Sequence, residues 1–228
     1  MSATIQPTRP TVEPREDQTF HHGTRSDFNA WFFRVFDRYI NHIARHHKRE
    51  AFAGMRAGDI VELGAGVGAN FAHLPAGARV LAVEPSRAMH DELVARATDR
   101  AVDLTVLGAC AEDLPIPDAS VDEVICSLVL CTVKDQAAAL AEIRRVLRPG
   151  GSFRFVEHVA APAWSPRRWL QHAIRRPWSW LFEGCDLCRD TVASVEEAGF
   201  REMQVRRARF RRSLFTPVNS AVYGYGIR

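Results

Sequence analysis

Residues 59–71 read Asp-Ile-Val-Glu-Leu-Gly-Ala-Gly-Val-Gly-Ala-Asn-Phe, and no other stretch limits the fold so narrowly. Ile60, Val61 and Leu63 make a short apolar run of the length of a buried strand. It gives way to glycines at 64, 66 and 68, and Ala69-Asn70-Phe71 predicts the start of a helix. Glycine serves where a chain turns sharply, or where backbone lies against a ligand with no Cβ between them. A strand, a glycine loop and a helix N-terminus in that order place free N–H groups at the edge of a sheet.

The spacing is G-x-G-x-G, not the G-x-G-x-x-G of dinucleotide sites. The next apolar run, residues 80–83, ends in Glu84, sixteen residues after Gly68. A carboxylate there can accept both hydroxyls of a ribose. Glu62, just before the glycines, can hold an ammonium group. A ribose on one side, an amino acid on the other and no pyrophosphate site together suggest S-adenosylmethionine. On these residues the chain resembles the class I methyltransferases. The resemblance implies an α/β, Rossmann-like fold with a mostly parallel seven-stranded sheet and helices on both faces. It implies S-adenosyl-L-methionine as cofactor, held by Glu62, Gly64, Ala65, Gly66, Gly68, Asn70, Glu84 and Pro85. It also implies a loop after the third strand that grips the adenine edge through an Asp side chain and the next backbone N–H. Aligning on Leu114-Pro115 puts Cys110 in place of that Asp, Ala111 as the backbone donor and Glu112 as the neighbouring substitute. Ser127 and Leu128, beyond the fourth strand, complete the cofactor set.

A chain of 228 residues with 46% hydrophobic and 25% charged residues has the composition of an ordinary globular protein. No apolar run approaches the roughly 20 residues of a membrane span, and the polar N-terminus carries no export signal, so a cytoplasmic location is expected. The net charge of +3 gives no case for nucleic acid. The Asn/Asp-Pro-Pro-Tyr type of loop used on nucleic-acid bases is also absent, residues 127–131 reading Ser-Leu-Val-Leu-Cys. The expected partner is a small-molecule acceptor. No integral membrane segment is expected, peripheral lipid contact stays open, and the assembly is a monomer or homodimer.

Residues 1–20 carry three prolines and read as a mobile N-terminal arm ahead of a single domain over residues 21–228. Residues 28–47 form an amphipathic helix with an aromatic stripe of Trp31, Phe32, Val35, Phe36 and Tyr39, placed to act as a lid; His46 to Arg49 form its polar end. Five strands then alternate with helices up to residue 159, the pattern of a parallel sheet. Residues 160–189 interleave Trp164, Trp169, Trp178 and Trp180 with arginines and are broken by Pro162, Pro166 and Pro177. They read as an insertion over the substrate edge. A helix over residues 190–198 and a final pair of strands, 200–209 and 220–227, close the chain.

The stretch ICSLVLCTVKDQ at residues 125–136, FVEHVAA at 155–161 and LFEGCDL at 181–187 sharpen the resemblance. With Lys48-Arg49-Glu50 and the terminal Tyr223-Gly-Tyr225, they are similar to the thiol S-methyltransferases, the alkyl-thiol enzymes of animal endoplasmic reticulum. Membership implies methyl transfer to the sulfur of a small, rather apolar thiol. The animal enzymes carry a hydrophobic N-terminal anchor, whereas residues 1–25 here are polar. O-, N- or C-methylation of a small metabolite or quinone-like lipid remains an alternative, as does a non-catalytic S-adenosylmethionine-binding protein.

An alkyl thiol with a pKa of about 8.5 is only a few per cent ionised at neutral pH, so a base or cation near it helps. His158, at the end of the fifth strand, is the first candidate, with Glu157 to orient it or the substrate and Asp186 on the acceptor side. Cys185 and Cys188 form a lone C-x-x-C without the second pair a zinc site needs, so no metal is expected. Cys110, Cys126 and Cys131 read as reduced thiols, the last two within apolar runs.

Overall fold

The computed structural model describes residues 10–13, 16–211 and 213–228. Seven strands form one sheet in the order β3-β2-β1-β4-β5-β7-β6. β1 (Asp59–Leu63), β2 (Arg79–Val83), β3 (Asp103–Leu107), β4 (Val121–Ser127) and β5 (Leu147–His158) pair in parallel. β7 (Ser220–Ile227) runs antiparallel to both β5 and β6 (Arg201–Arg209). This is the mostly parallel, Rossmann-like sheet expected. All five residues of β1 are buried, because helices cover both faces of a central parallel strand. β1 lies between β2 and β4, so the winding reverses there and a crevice opens at the C-terminal ends of these strands.

The glycine loop departs from expectation. It leads only into a 3-10 turn at Phe71–His73, not an α-helix. Pro75 accounts for this: it drives the preceding Leu74 to an extended conformation, with ψ 143°, and stops the turn. The N–H groups at the crevice therefore belong to tight glycine turns, without a helix dipole behind them.

α1 (Thr24–Ala51) is longer than the predicted 28–47 and packs on β5 and β7. Trp31 and Val35 of the predicted stripe are 47% and 52% exposed. Phe32, Phe36 and Tyr39 of that stripe do face inward, joined by Phe28, and meet Phe182 and Phe215. Lys48, assigned to a polar helix end, is buried.

Residues 160–189 hold a continuous helix, α4 (Pro166–Leu181), where prolines were expected to break the run. Pro166 stands at the first turn, where no amide donor is needed, and the Ser165 hydroxyl accepts the Arg168 N–H at 3.1 Å. Pro177 is accommodated inside the helix. Gln171, fully buried, fastens α4 to the rest: its Oε1 accepts the Ala161 N–H and its Nε2 donates to the carbonyls of Val159 and Pro217. α2 (Arg87–Asp99) and α3 (Gln136–Val146) are helices of the expected strand–helix alternation, and α5 (Thr191–Glu197) lies within one residue of the expected 190–198 at each end.

The N-terminal arm also differs from its prediction over its described residues. Glu13, Gln18 and Phe20 donate backbone N–H groups to the carbonyls of Pro115, Gly108 and Pro85, so the segment runs past the loops that follow β2 and β3. Residues 1–9, 14 and 15 of the predicted arm lie outside the described residues.

Candidate active site

The three glycines are needed for different reasons. All have left-handed backbone, φ +56° at Gly64, +54° at Gly66 and +78° at Gly68. A Cβ on Gly64 would lie 2.4 Å from Val129 Cγ2, and one on Gly68 would lie 2.7 Å from the Phe71 ring. These two are packing positions. A Cβ on Gly66 would meet nothing nearer than the Gly64 carbonyl at 3.9 Å, so its open side is the cradle.

Glu84 faces that cradle. Its two carboxylate oxygens accept the Gly66 and Ser86 N–H groups, each at 2.8 Å, leaving lone pairs for further donors. Burial pushes its carboxyl above the usual range, against the pull of the two amides. Glu62 is wholly buried and accepts one hydrogen bond, from Asn70 Nδ2 at 2.9 Å. Its other oxygen and the Asn70 Oδ1 are buried without partners. Burial pushes Glu62 up to about 7, opposed by Asn70 and by the ammonium of Lys48. Two unpartnered acceptors beside an open glycine fit the ammonium of an amino acid, and Glu84 fits a ribose.

On the acceptor side, Glu157 Oε1 accepts the N–H groups of Val129 and Leu130 and the thiol of Cys126. It holds the loop after β4, where Leu128 adopts φ +62°. His158 turns to the opposite face of β5, and its Nε2 lies 3.1 Å from Cys185 Sγ. Trp178 Nε1 donates to the same sulfur at 3.3 Å, and Cys131 Sγ stands 3.9 Å from it. These contacts, the Cys131 thiol foremost, draw the Cys185 thiol well below its ordinary range. Burial alone would lower His158, but the Cys185 sulfur beside it more than reverses this. The loop carrying Cys185 is pinned to the loop after β4 by the Asp186 N–H on the Cys131 carbonyl, 2.8 Å. Gly184 permits this approach, since a Cβ there would sit 3.1 Å from the Thr132 carbonyl. Next to the sulfurs, Trp178 packs on Phe182 with ring centroids 4.5 Å apart, and Phe182 meets Phe28 and Phe32, the latter in turn touching Phe215.

Residues 61–155 match the methyltransferase domain family. The chain is 33% identical over 208 residues to the human thiol S-methyltransferase TMT1A, covering 87% of this chain and 85% of that protein. The chain belongs to the thiol S-methyltransferase family. Human thiol S-methyltransferase TMT1B is 39% identical over 151 residues, 65% of this chain and 62% of that protein. Among solved structures, a chain from the complex of the Haloferax volcanii Trm112 methyltransferase activator with a methyltransferase shares the fold. Its TM-score is 0.66 at 20% identity, over 89% of this chain and 96% of that one. This member of the thiol S-methyltransferase family is therefore an S-adenosylmethionine-dependent enzyme. No helix of its described residues is long and apolar enough to cross a membrane.

In this methyltransferase the predicted Gly66 and Glu84 are joined by a hydrogen bond, as are Asn70 and Glu62, while Gly64 and Gly68 pack against Val129 and Phe71. Pro85 anchors the N-terminal segment through its carbonyl, and the Cys110 N–H is taken by Gln18 Oε1 at 2.7 Å. Glu112 departs from its predicted place at the adenine edge. Its carboxylate accepts the N–H groups of Lys134 and Asp135, because the start of α3 offers it unpaired donors. Glu157 makes no hydrogen bond to His158; it braces a loop instead. Asp186 is held by Arg175 and by the Cys188 N–H, which fixes the Cys185 loop. The sequence reading gave Lys48, Gln18 and Cys131 no site role, and Trp178 only a place in the insertion over the substrate edge. The family resemblance of Lys48-Arg49-Glu50 and of VLC at residues 129–131 was the one signal for two of them.

Proposed function

We propose that this enzyme transfers a methyl group to the sulfur of a small, rather apolar thiol. The observation that carries the reading is the aromatic lining of Phe28, Phe32, Phe182, Phe215 and Trp178, which runs up to His158 and Cys185. S-adenosylmethionine, when bound, supplies an electrophilic methyl on a sulfonium. Gly66, Glu84, Glu62 and Asn70 hold its sugar and amino acid, and Ala111 offers an amide for its base. Ser127 and Leu128 border it at the end of β4.

The chain's part in the reaction is to align the acceptor and keep water away. Alignment alone is worth about 7 kcal/mol or more in well-oriented systems. A dry aromatic lining favours two opposite charges that neutralise each other as the bond forms. His158 stands with Cys185 at the acceptor's end of that lining, while Glu157 and Asp186 position the loops that carry Cys131 and Cys185. Trp164, Trp169 and Trp180 are 100%, 75% and 65% exposed beside arginines, which supports peripheral lipid contact; co-sedimentation with anionic vesicles tests it.

The test offers labelled cofactor with an alkyl thiol, a phenol, an amine and a demethylated quinone. Label on the thiol is expected. Label on another acceptor alone would sink the sulfur assignment, and tight cofactor binding with no product from any of them would favour a non-catalytic binder.

A further inference from the structure

We propose that Cys131, His158 and Cys185 bind one zinc ion, whose open fourth position takes the acceptor thiol. The three residues come from the loop after β4, the end of β5 and the loop after α4, and their ligating atoms lie within 4.8 Å of one another. All three are buried, and all five cysteines of the chain are free thiols. The spacing suits a tetrahedral ion. With Zn–S of about 2.3 Å and Zn–N of about 2.0 Å, the sulfur–sulfur edge is about 3.8 Å and the sulfur–nitrogen edge about 3.5 Å. The observed separations are 3.9 Å for Cys131–Cys185 and 3.1 Å for Cys185–His158.

The donor set identifies the metal. Two thiolates and an imidazole select a soft, tetrahedral cation. Among the described residues the group contains three ligands and no fourth. Structural zinc sites are closed by four protein ligands, while catalytic ones hold three and leave a place open. Trp178 and the aromatic rings behind it border the cluster, so an apolar acceptor entering along them arrives at that place. The sequence argued against zinc because Cys185-Cys188 lacks a second pair. In the fold Cys188 is turned away, its Sγ 3.7 Å from His172 Nδ1, and the missing ligands come from Cys131 and His158.

The role of the ion rests on the thiol reading above; its binding does not. The acceptor S–H bond breaks as its sulfur meets the cation, and the proton leaves to solvent. A sulfur lone pair then forms the new S–CH3 bond while the sulfonium's S–CH3 bond breaks, its electron pair remaining on S-adenosylhomocysteine. The neutral thioether, a weaker ligand, departs. Zinc stays divalent throughout.

Metal content of the full chain, purified reduced and without an affinity tag that binds metals, should be one zinc per chain. Cys131→Ser, His158→Ala and Cys185→Ser should each lose most of it, and Cys188→Ser should retain it. Only variants whose circular dichroism matches the parent are compared. Independently of any variant, cobalt substitution of the parent should give a near-ultraviolet sulfur-to-cobalt charge-transfer band that intensifies when an alkyl thiol is added. No zinc and no such band would overturn the site, as would equal loss of metal in Cys188→Ser. A cobalt spectrum indifferent to the thiol would overturn the activating role. Methylation of a different acceptor, with metal content intact, would refute the thiol reading and leave the site standing.

Discussion

Gly64 and Gly66 share nearly the same left-handed backbone, φ +56° and +54°, yet alanine should harm them in opposite ways. The backbone cost of a Cβ in that region is about 1–2 kcal/mol and applies equally to both. At Gly64 the new carbon would press within 2.4 Å of Val129 Cγ2 and 2.9 Å of Cγ1, so overpacking adds about 1–3 kcal/mol. At Gly66 it would meet only a carbonyl at 3.9 Å. Without cofactor, Gly64→Ala should therefore lose about 2–5 kcal/mol of stability and Gly66→Ala about 1–2 kcal/mol. Cofactor binding should reverse the order in the folded protein. The Gly66 methyl projects into the cradle and should weaken S-adenosylhomocysteine by tenfold or more, about 1.4 kcal/mol at least. Urea unfolding gives the first comparison and calorimetry the second. A folded Gly66→Ala protein that binds S-adenosylhomocysteine as tightly as the parent would refute the placement of the cofactor.

Glu84→Ala removes the acceptor of two amides and of the ribose, and should cost about 1.5–3 kcal/mol of cofactor affinity by calorimetry. Glu62, raised from 4.5 to about 7, stays protonated in the folded chain where it would ionise unfolded. Its contribution is thus complete below pH 4.5 and is lost as the pH rises through 7, about 3 kcal/mol in all. Glu62→Gln should flatten apo stability over that window in urea melts. An ammonium beside Glu62 favours its ionised form, so S-adenosylhomocysteine should release protons on binding near pH 7; heats that do not vary with buffer ionisation enthalpy would count against this. Gln18→Ala leaves the Cys110 N–H without its acceptor and should weaken the cofactor by about 0.5–1.5 kcal/mol, read as a shift in Kd.

The identity of the cofactor was legible because its signals are local: a strand, three glycines and an acid at the next strand's end. What misled was also local. Pro75 shortens the turn after the glycines, whereas Pro166 begins a helix, and only position within the element separates the two outcomes. Lys48 read as a helix-end cation because the burial of a single lysine depends on what α1 packs against. Cys131, His158 and Cys185 lie 27 residues apart at each step, a spacing that matches no metal pattern. Their convergence follows from topology, since the chain emerging from β4 and from β5 opens on the same side of the sheet.

Residues 128–131 form a strap with a duty at each end. Val129 fills the notch left by Gly64, Glu157 grips the amides of Val129 and Leu130, and Cys131 comes next in the chain. The glycine loop and the sulfur cluster are thereby hung from one short span with no slack between them. A descendant that exchanged one acceptor for another by altering this strap would forfeit grip on the donor as well. Diversification is channelled to α4 and to residues 213–219, which shape the entrance and leave the strap alone.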